Sequence, residues 1–302
     1  MKDQLICISR KIVVLIGLLC LLSLFLIYVS ESIRRERATS QTQAAPRAII
    51  GGRAASQGEF PYMVLLYYKD KAVLNSEKGE FDFYTKKSLL CGGVVLYDSW
   101  IVTAAHCFEG IKEYSNIGLA VGLTGLIGKM DPEIYRNTLY SISDVYIHPD
   151  YPGGFDYAPV DVAIIKTNKS IISSFQKPIL APIHLENELY ALDNQVTVAG
   201  YGVYRFDTIW IFPILPVYPK ELQTIKLPIV SGPNKNPLRI GYLDEKKANK
   251  NSTHKGDSGS PIIYEHNGIK YLIGIASHNL GPVYSPKLSS HLDWITSITG
   301  KK

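Results

Sequence analysis

Gly256-Asp257-Ser258-Gly259-Ser260-Pro261 is the most specific stretch of the chain. Glycines on both sides of Ser258 permit a tight backbone that side-chain-bearing residues resist, and in such a turn the amides of Gly256 and Ser258 can point at one oxygen. A serine hydroxyl is a weak nucleophile near neutral pH, so a serine displayed this way needs a base. Two upstream stretches carry candidate partners. Thr103-Ala104-Ala105-His106-Cys107 puts a histidine directly after a β-type run, and Asp161-Val162-Ala163-Ile164-Ile165 opens an apolar run with a carboxylate. Taken singly, the histidine reads as a structural residue and the aspartate as a turn residue. The set, in one order, carries the meaning.

Around these stretches the chain alternates short β-rich runs with turn residues: 62–68, 90–97, 100–103, 117–121, 143–148, 162–166, 196–201, 222–230, 261–264 and 271–276. Many short strands separated by Gly and Pro predict an all-β antiparallel barrel or sandwich. Near the end, Leu288, Leu292, Ile295 and Ile298 recur at helical spacing and Gly300 can terminate that helix. Residues 70–88 are polar without a period and read as a long surface loop. With 302 residues, 46% of them hydrophobic and 20% charged, the chain is neither disordered, collagen-like nor a disulfide-built miniprotein.

The net charge of +5 is concentrated at the N-terminus, where residues 1–48 hold seven basic and three acidic side chains. The remainder is close to neutral, which argues against a nucleic-acid-binding surface. Residues 12–29 carry no charge and follow Arg10 and Lys11, so they read as a hydrophobic helix, either a retained signal anchor with residues 1–11 cytoplasmic or a cleaved signal peptide. Either way the residues from 49 onward are delivered outside the cytosol, as a single-pass type II membrane protein or a secreted one. Residues 30–48 lack an apolar period and read as a linker or propeptide.

With Ile49-Ile50-Gly51-Gly52 at the linker boundary, the stretches around His106, Asp161 and Ser258 resemble the trypsin and chymotrypsin-like serine proteases. Glu59-Phe60-Pro61-Tyr62, Cys91-Gly92-Gly93, His148-Pro149-Asp150-Tyr151, Ala199-Gly200-Tyr201-Gly202, Gly241-Tyr242-Leu243 and Asp293-Trp294-Ile295 extend the resemblance through most of residues 49–302. It implies two six-stranded antiparallel β-barrels with a C-terminal helix. It also implies a His106–Asp161–Ser258 triad, an oxyanion hole from the Gly256 and Ser258 amides, and a Cys91–Cys107 disulfide. Members are made as zymogens; here a freed Ile49 amine would pair with Asp257. The implied partners are a polypeptide substrate, an activating protease, protein protease inhibitors and, if the anchor stays, a membrane.

The chain departs from the family at its specificity pocket and activation site. Ala48 precedes Ile49 where most members carry Arg or Lys, so activation is expected after Ala48 by a protease accepting small residues, or through a trimming step. Ser252 stands at the place resembling the pocket floor and offers no carboxylate, which argues against a preference for Arg or Lys. Ser277-His278-Asn279 stands where the family has Ser-Trp-Gly, and Asn279 would narrow the pocket. Asn168-Lys169-Ser170 and Asn251-Ser252-Thr253 are glycosylation sequons. The seven histidines form no metal-ligand spacing, and neither a metal nor a cofactor is expected. The expected function is a serine endopeptidase that is not trypsin-like in specificity. The alternative is a weak or inactive homologue acting as a binding or regulatory module.

Overall fold

The computed structural model describes residues 23, 49, 51–83, 88–154, 158–171, 175–202, 205–209, 212–217, 219–248, 253, 256–279 and 282–301. The chain divides into two compact units, Met1–Pro46 and Arg47–Lys302. Of the first, Ser23 alone is described, in helical backbone, so the helix expected over 12–29 otherwise lies outside the described residues. No helix among the described residues is long and apolar enough to cross a membrane.

Six strands form the first barrel of the second unit: β1 (Met63–Tyr68), β2 (Leu89–Tyr97), β3 (Trp100–Thr103), β4 (Ile117–Val121), β5 (Leu139–Ile147) and β6 (Ala163–Thr167). They close in the order β6-β3-β2-β1-β4-β5, and every neighbouring pair is antiparallel. The apolar runs of β1 and β4 are buried almost throughout, as expected of strands covered on both faces. Gly92 lets β2 approach the Ser258 segment, since a Cβ there would meet the Ser260 hydroxyl at 2.5 Å.

The second barrel uses β7 (Gln195–Gly200), β8 (Gln223–Pro228), β9 (Leu238–Ile240), β10 (Pro261–His266), β11 (Ile269–Ile275) and β12 (Val283–Ser285). Continuous ladders join β8-β7-β10-β11 and, separately, β9-β12. Single antiparallel bridges, Ile229 to Ile240 and Gly274 to Lys287, connect the two sets and complete the ring. A two-residue strand, Ile179–Leu180, departs from the antiparallel pattern by lying parallel to β11 where the chain arrives from the first barrel. Helix α1 (Leu292–Thr299) buries Ile295 in the core shared with the first barrel, and ends where Gly300, at φ 65°, donates its amide to the Thr296 carbonyl at 2.8 Å.

Residues 70–83 hold more regular structure than their composition suggests. Val73–Asn75 and Glu80–Asp82 form a small hairpin that also pairs with Ile127–Lys129. Its turn is stabilised by Asn75 Oδ1, which accepts from the Glu77 and Lys78 amides at 3.2 and 3.1 Å, and by Gly79 at φ +64°. Phe81 is buried there.

Candidate active site

His106 lies on a single 3-10 turn, Ala105–Phe108, directly after β3. Cys107 beside it is joined to Cys91 on β2 by the disulfide, so the turn is tied covalently to the barrel wall. Asp161 enters just ahead of β6, fully buried. Its Oδ1 accepts from the His106 backbone amide at 2.9 Å and its Oδ2 lies 2.7 Å from His106 Nδ1. On the other side of the ring, His106 Nε2 lies 2.8 Å from Ser258 Oγ. The hydroxyl, imidazole and carboxylate thus form one line of hydrogen bonds.

The Asp161 carboxylate is kept charged despite its position. Burial raises its pKa, but the bonds from His106 and Ser277 and the neighbouring imidazole outweigh burial and hold it below the usual carboxylate range. Ser277 was expected in the pocket wall, and its hydroxyl donates to Asp161 Oδ2. Nothing local in the sequence marks that contact, which joins residues 116 apart. A second unforeseen neighbour is His278, whose ring lies 5.1 Å from that of His106, centroid to centroid, with the planes 30° apart.

The Ser258 loop is held from both sides. The Gly92 amide donates to the Ser258 carbonyl at 2.7 Å, Gly259 donates to the Ala276 carbonyl at 2.7 Å, and Ser260 donates to the Asp257 carbonyl at 2.9 Å. Gly256 takes φ +101° and Gly259 +77°, conformations that glycine adopts without strain. Among the described residues, no hydrogen bond uses the amide of Gly256 or of Ser258.

Asp257 is buried, and its Oδ1 accepts from the Gly202 amide at 2.8 Å. Space for that carboxylate comes from two glycines, since a Cβ on Gly200 would lie 2.1 Å from Oδ1 and one on Gly202 2.5 Å from the carboxylate. Ile49 is fully buried within the second barrel's core, at φ 49°. Asn168 is exposed, and its Oδ1 accepts from the Ser141 amide at 3.0 Å. Asn251, Ser252 and the Asn279 side chain lie outside the described residues, so neither the pocket floor nor the asparagine of the second sequon is described. A polar groove of about 1100 Å³ runs past Arg53, Glu59, Lys226 and Lys270, and no triad residue lines it.

The family model Trypsin matches residues 49–295. The chain is 28% identical over 270 residues to the venom peptide isomerase heavy chain of Agelenopsis aperta, covering 82% of this chain and 98% of that one. It is 29% identical over 283 residues to vitamin K-dependent protein C of Oryctolagus cuniculus, covering 87% of this chain and 54% of the relative, so it spans about half of that protein's length. It is 27% identical over 274 residues to human testisin, covering 83% of this chain and 77% of the relative.

Proposed function

The chain belongs to the trypsin family and is a serine-type endopeptidase, and from this premise we propose that His106, Asp161 and Ser258 are its catalytic triad. The observation that carries the assignment is the pair of distances about one ring: His106 Nε2 to Ser258 Oγ 2.8 Å, and His106 Nδ1 to Asp161 Oδ2 2.7 Å. Ser258 Oγ attacks the peptide carbonyl carbon as its proton passes to His106 Nε2. Asp161 holds the imidazole in the tautomer with Nδ1 protonated and stabilises the imidazolium. Negative charge develops on the carbonyl oxygen, where the amides of Gly256 and Ser258 receive it; loss of one such donor costs about 2.7–4 kcal/mol. The C–N bond then breaks as His106 returns the proton to the leaving amine. Water, deprotonated by the same nitrogen, attacks the acyl ester and restores the Ser258 hydroxyl.

The finer reading concerns processing and specificity. Residues 49–302 are the protease domain, made as a zymogen behind the 30–48 linker and delivered outside the cytosol by residues 12–29. Cleavage after Ala48 frees the Ile49 amine to pair with Asp257. The deep burial of Asp257, with room made by Gly200 and Gly202, supports this pairing. With Ser252 at the floor, the pocket is neutral and Arg or Lys are poor substrates. Asn168 and Asn251 are the glycosylation sites.

A full-length chain carrying a specific protease site immediately before Ile49 tests the assignment. A fluorophosphonate probe is expected to label Ser258 after cleavage and not before, and to label neither form of Ser258→Ala. Absence of labelling in folded, cleaved protein would instead favour the binding-module reading, which the altered Ser277-His278-Asn279 wall motivates.

A further inference from the structure

The His278 ring beside His106 has no role in the mechanism above. Both imidazoles stand next to the buried Asp161 carboxylate, and one donor atom from each of His106, Asp161 and His278 lies within 4.8 Å of the others. Two imidazoles and a carboxylate, drawn from separate parts of the chain, form a ligand set of the type that binds zinc with one position left open. Zinc bonds to nitrogen and oxygen are about 2.0–2.2 Å, so side-chain rotations of roughly 1.5 Å or less would bring the donors onto one ion. Asp161 supplies the negative charge such an ion needs and already orients one of the two rings.

The other histidine groupings do not offer this. Cys91 and Cys107 lie near His106, but their sulfurs are joined to each other. The His148–His291 pair has no third His, Cys, Asp or Glu donor within the same reach among the described residues.

The geometry points to an inhibitory divalent-cation site of zinc type made by His106, His278 and Asp161. The inference rests on the triad assignment for its consequence, though not for the binding itself. Both ring nitrogens of His106 are occupied in the resting arrangement, Nδ1 by Asp161 and Nε2 by Ser258. A cation bound to this ring must displace one of those bonds, since a metal-bound nitrogen neither carries nor accepts a proton. Whichever nitrogen it takes, the ring no longer serves as the base for Ser258. Cation binding and peptide hydrolysis are therefore mutually exclusive. Calcium and magnesium, which prefer all-oxygen ligands, are poor occupants. No local pattern in the sequence reveals the set, because His106 and His278 meet only through the fold.

The test separates binding from catalysis. Zinc chloride is titrated calorimetrically into the full-length Ser258→Ala protein, which cannot turn over. One ion per chain is expected to bind. Adding His278→Gln, or His278→Trp, which restores the residue the family carries there, is expected to weaken binding by more than the roughly 10–100-fold that follows loss of an outer partner. His184→Gln on the exposed surface serves as the control and is expected to leave binding as it was. With the cleaved enzyme bearing Ser258, zinc is expected to suppress peptide hydrolysis reversibly, with recovery on adding EDTA, while calcium and magnesium at the same concentration do not suppress it. Absence of zinc binding, or binding unchanged in both His278 variants as folded proteins, overturns the site. Zinc binding in a protein that never hydrolyses peptide would leave the site standing and overturn the triad assignment instead.

Discussion

At the residue scale, two residues outside the triad determine how well the triad is held. Ser277 donates to the same Asp161 oxygen that faces His106 Nδ1. A hydrogen bond to a charged group contributes about 1.5–3 kcal/mol, and about 1.4 kcal/mol is tenfold in rate. Ser277→Ala is therefore expected to lower kcat between roughly ten- and a hundredfold with little change in KM, as read from steady-state hydrolysis of a peptide substrate. An unchanged kcat would mean that the two bonds from His106 suffice to hold Asp161. Gly259 controls the position of the nucleophile in a different way. Its φ is +77°, and a Cβ there would fall 2.3 Å from both the Gly92 carbonyl oxygen and Thr103 Oγ1. Those two atoms are bonded to each other at 2.7 Å, and the Gly92 amide also holds the Ser258 carbonyl. Gly259→Ala adds left-handed strain of about 1–2 kcal/mol to overpacking of about 1–3 kcal/mol. Lower stability in urea and loss of probe labelling at Ser258 are expected together, because the same contact supports both.

At the element scale, the single turn that carries His106 is too short to be stable alone, so its position depends on what it is attached to. The Cys91–Cys107 bridge closes a separation of 16 residues and ties that turn to β2. In the loop-entropy model this contributes about 3 kcal/mol, and for a domain of this size each kcal/mol is worth about 2–4 °C. The double substitution Cys91→Ala, Cys107→Ala is expected to lower the melting temperature by about 6–12 °C in calorimetry, and an unchanged midpoint would remove the bridge from the list of stabilising features. The elements also show where sequence reading succeeds. The strands of the first barrel are legible because their apolar runs are bounded by turn residues, and the Ser258 segment is legible because its backbone demands glycine. β9 and β12 are not, since each has three residues, shows no period and joins its barrel through one bridge. The 73–82 hairpin is hidden by its polar composition and revealed by the Asn75 turn. The bond between Ser277 and Asp161 spans 116 residues, and the approach of His278 to His106 is likewise tertiary, so neither has any local signature.

At the scale of the whole unit, α1 must be fixed against the first barrel although it follows the last strand of the second. One connection is a directed chain of hydrogen bonds: the Asp150 amide donates to His148 Nδ1 at 3.2 Å, His148 Nε2 faces His291 Nδ1 at 3.2 Å, and His291 Nε2 faces the Pro159 carbonyl at 2.8 Å. The chain is satisfied only if both rings are neutral, with Nε2 protonated in each. The Trp294 ring packs 4.8 Å from that of His148 and helps exclude water. Burial lowers the pKa of both histidines; Asp150 opposes it for each, and the Pro159 bond opposes it for His291. A depressed imidazole binds fewer protons in the folded chain than in the unfolded one. Its contribution to stability is thus complete above the ordinary value near 6.5 and is lost as pH falls through and below it. Urea midpoints are expected to fall between pH 8 and pH 5, and His291→Phe, which keeps an aromatic ring but cannot be protonated, should be less stable at pH 8 and show a smaller decline. Wild-type midpoints that stay level over that range would contradict this account. Pro159 lies two residues before Asp161, so breaking the chain in acid frees the backbone that carries the triad carboxylate, and kcat should fall before the barrels unfold.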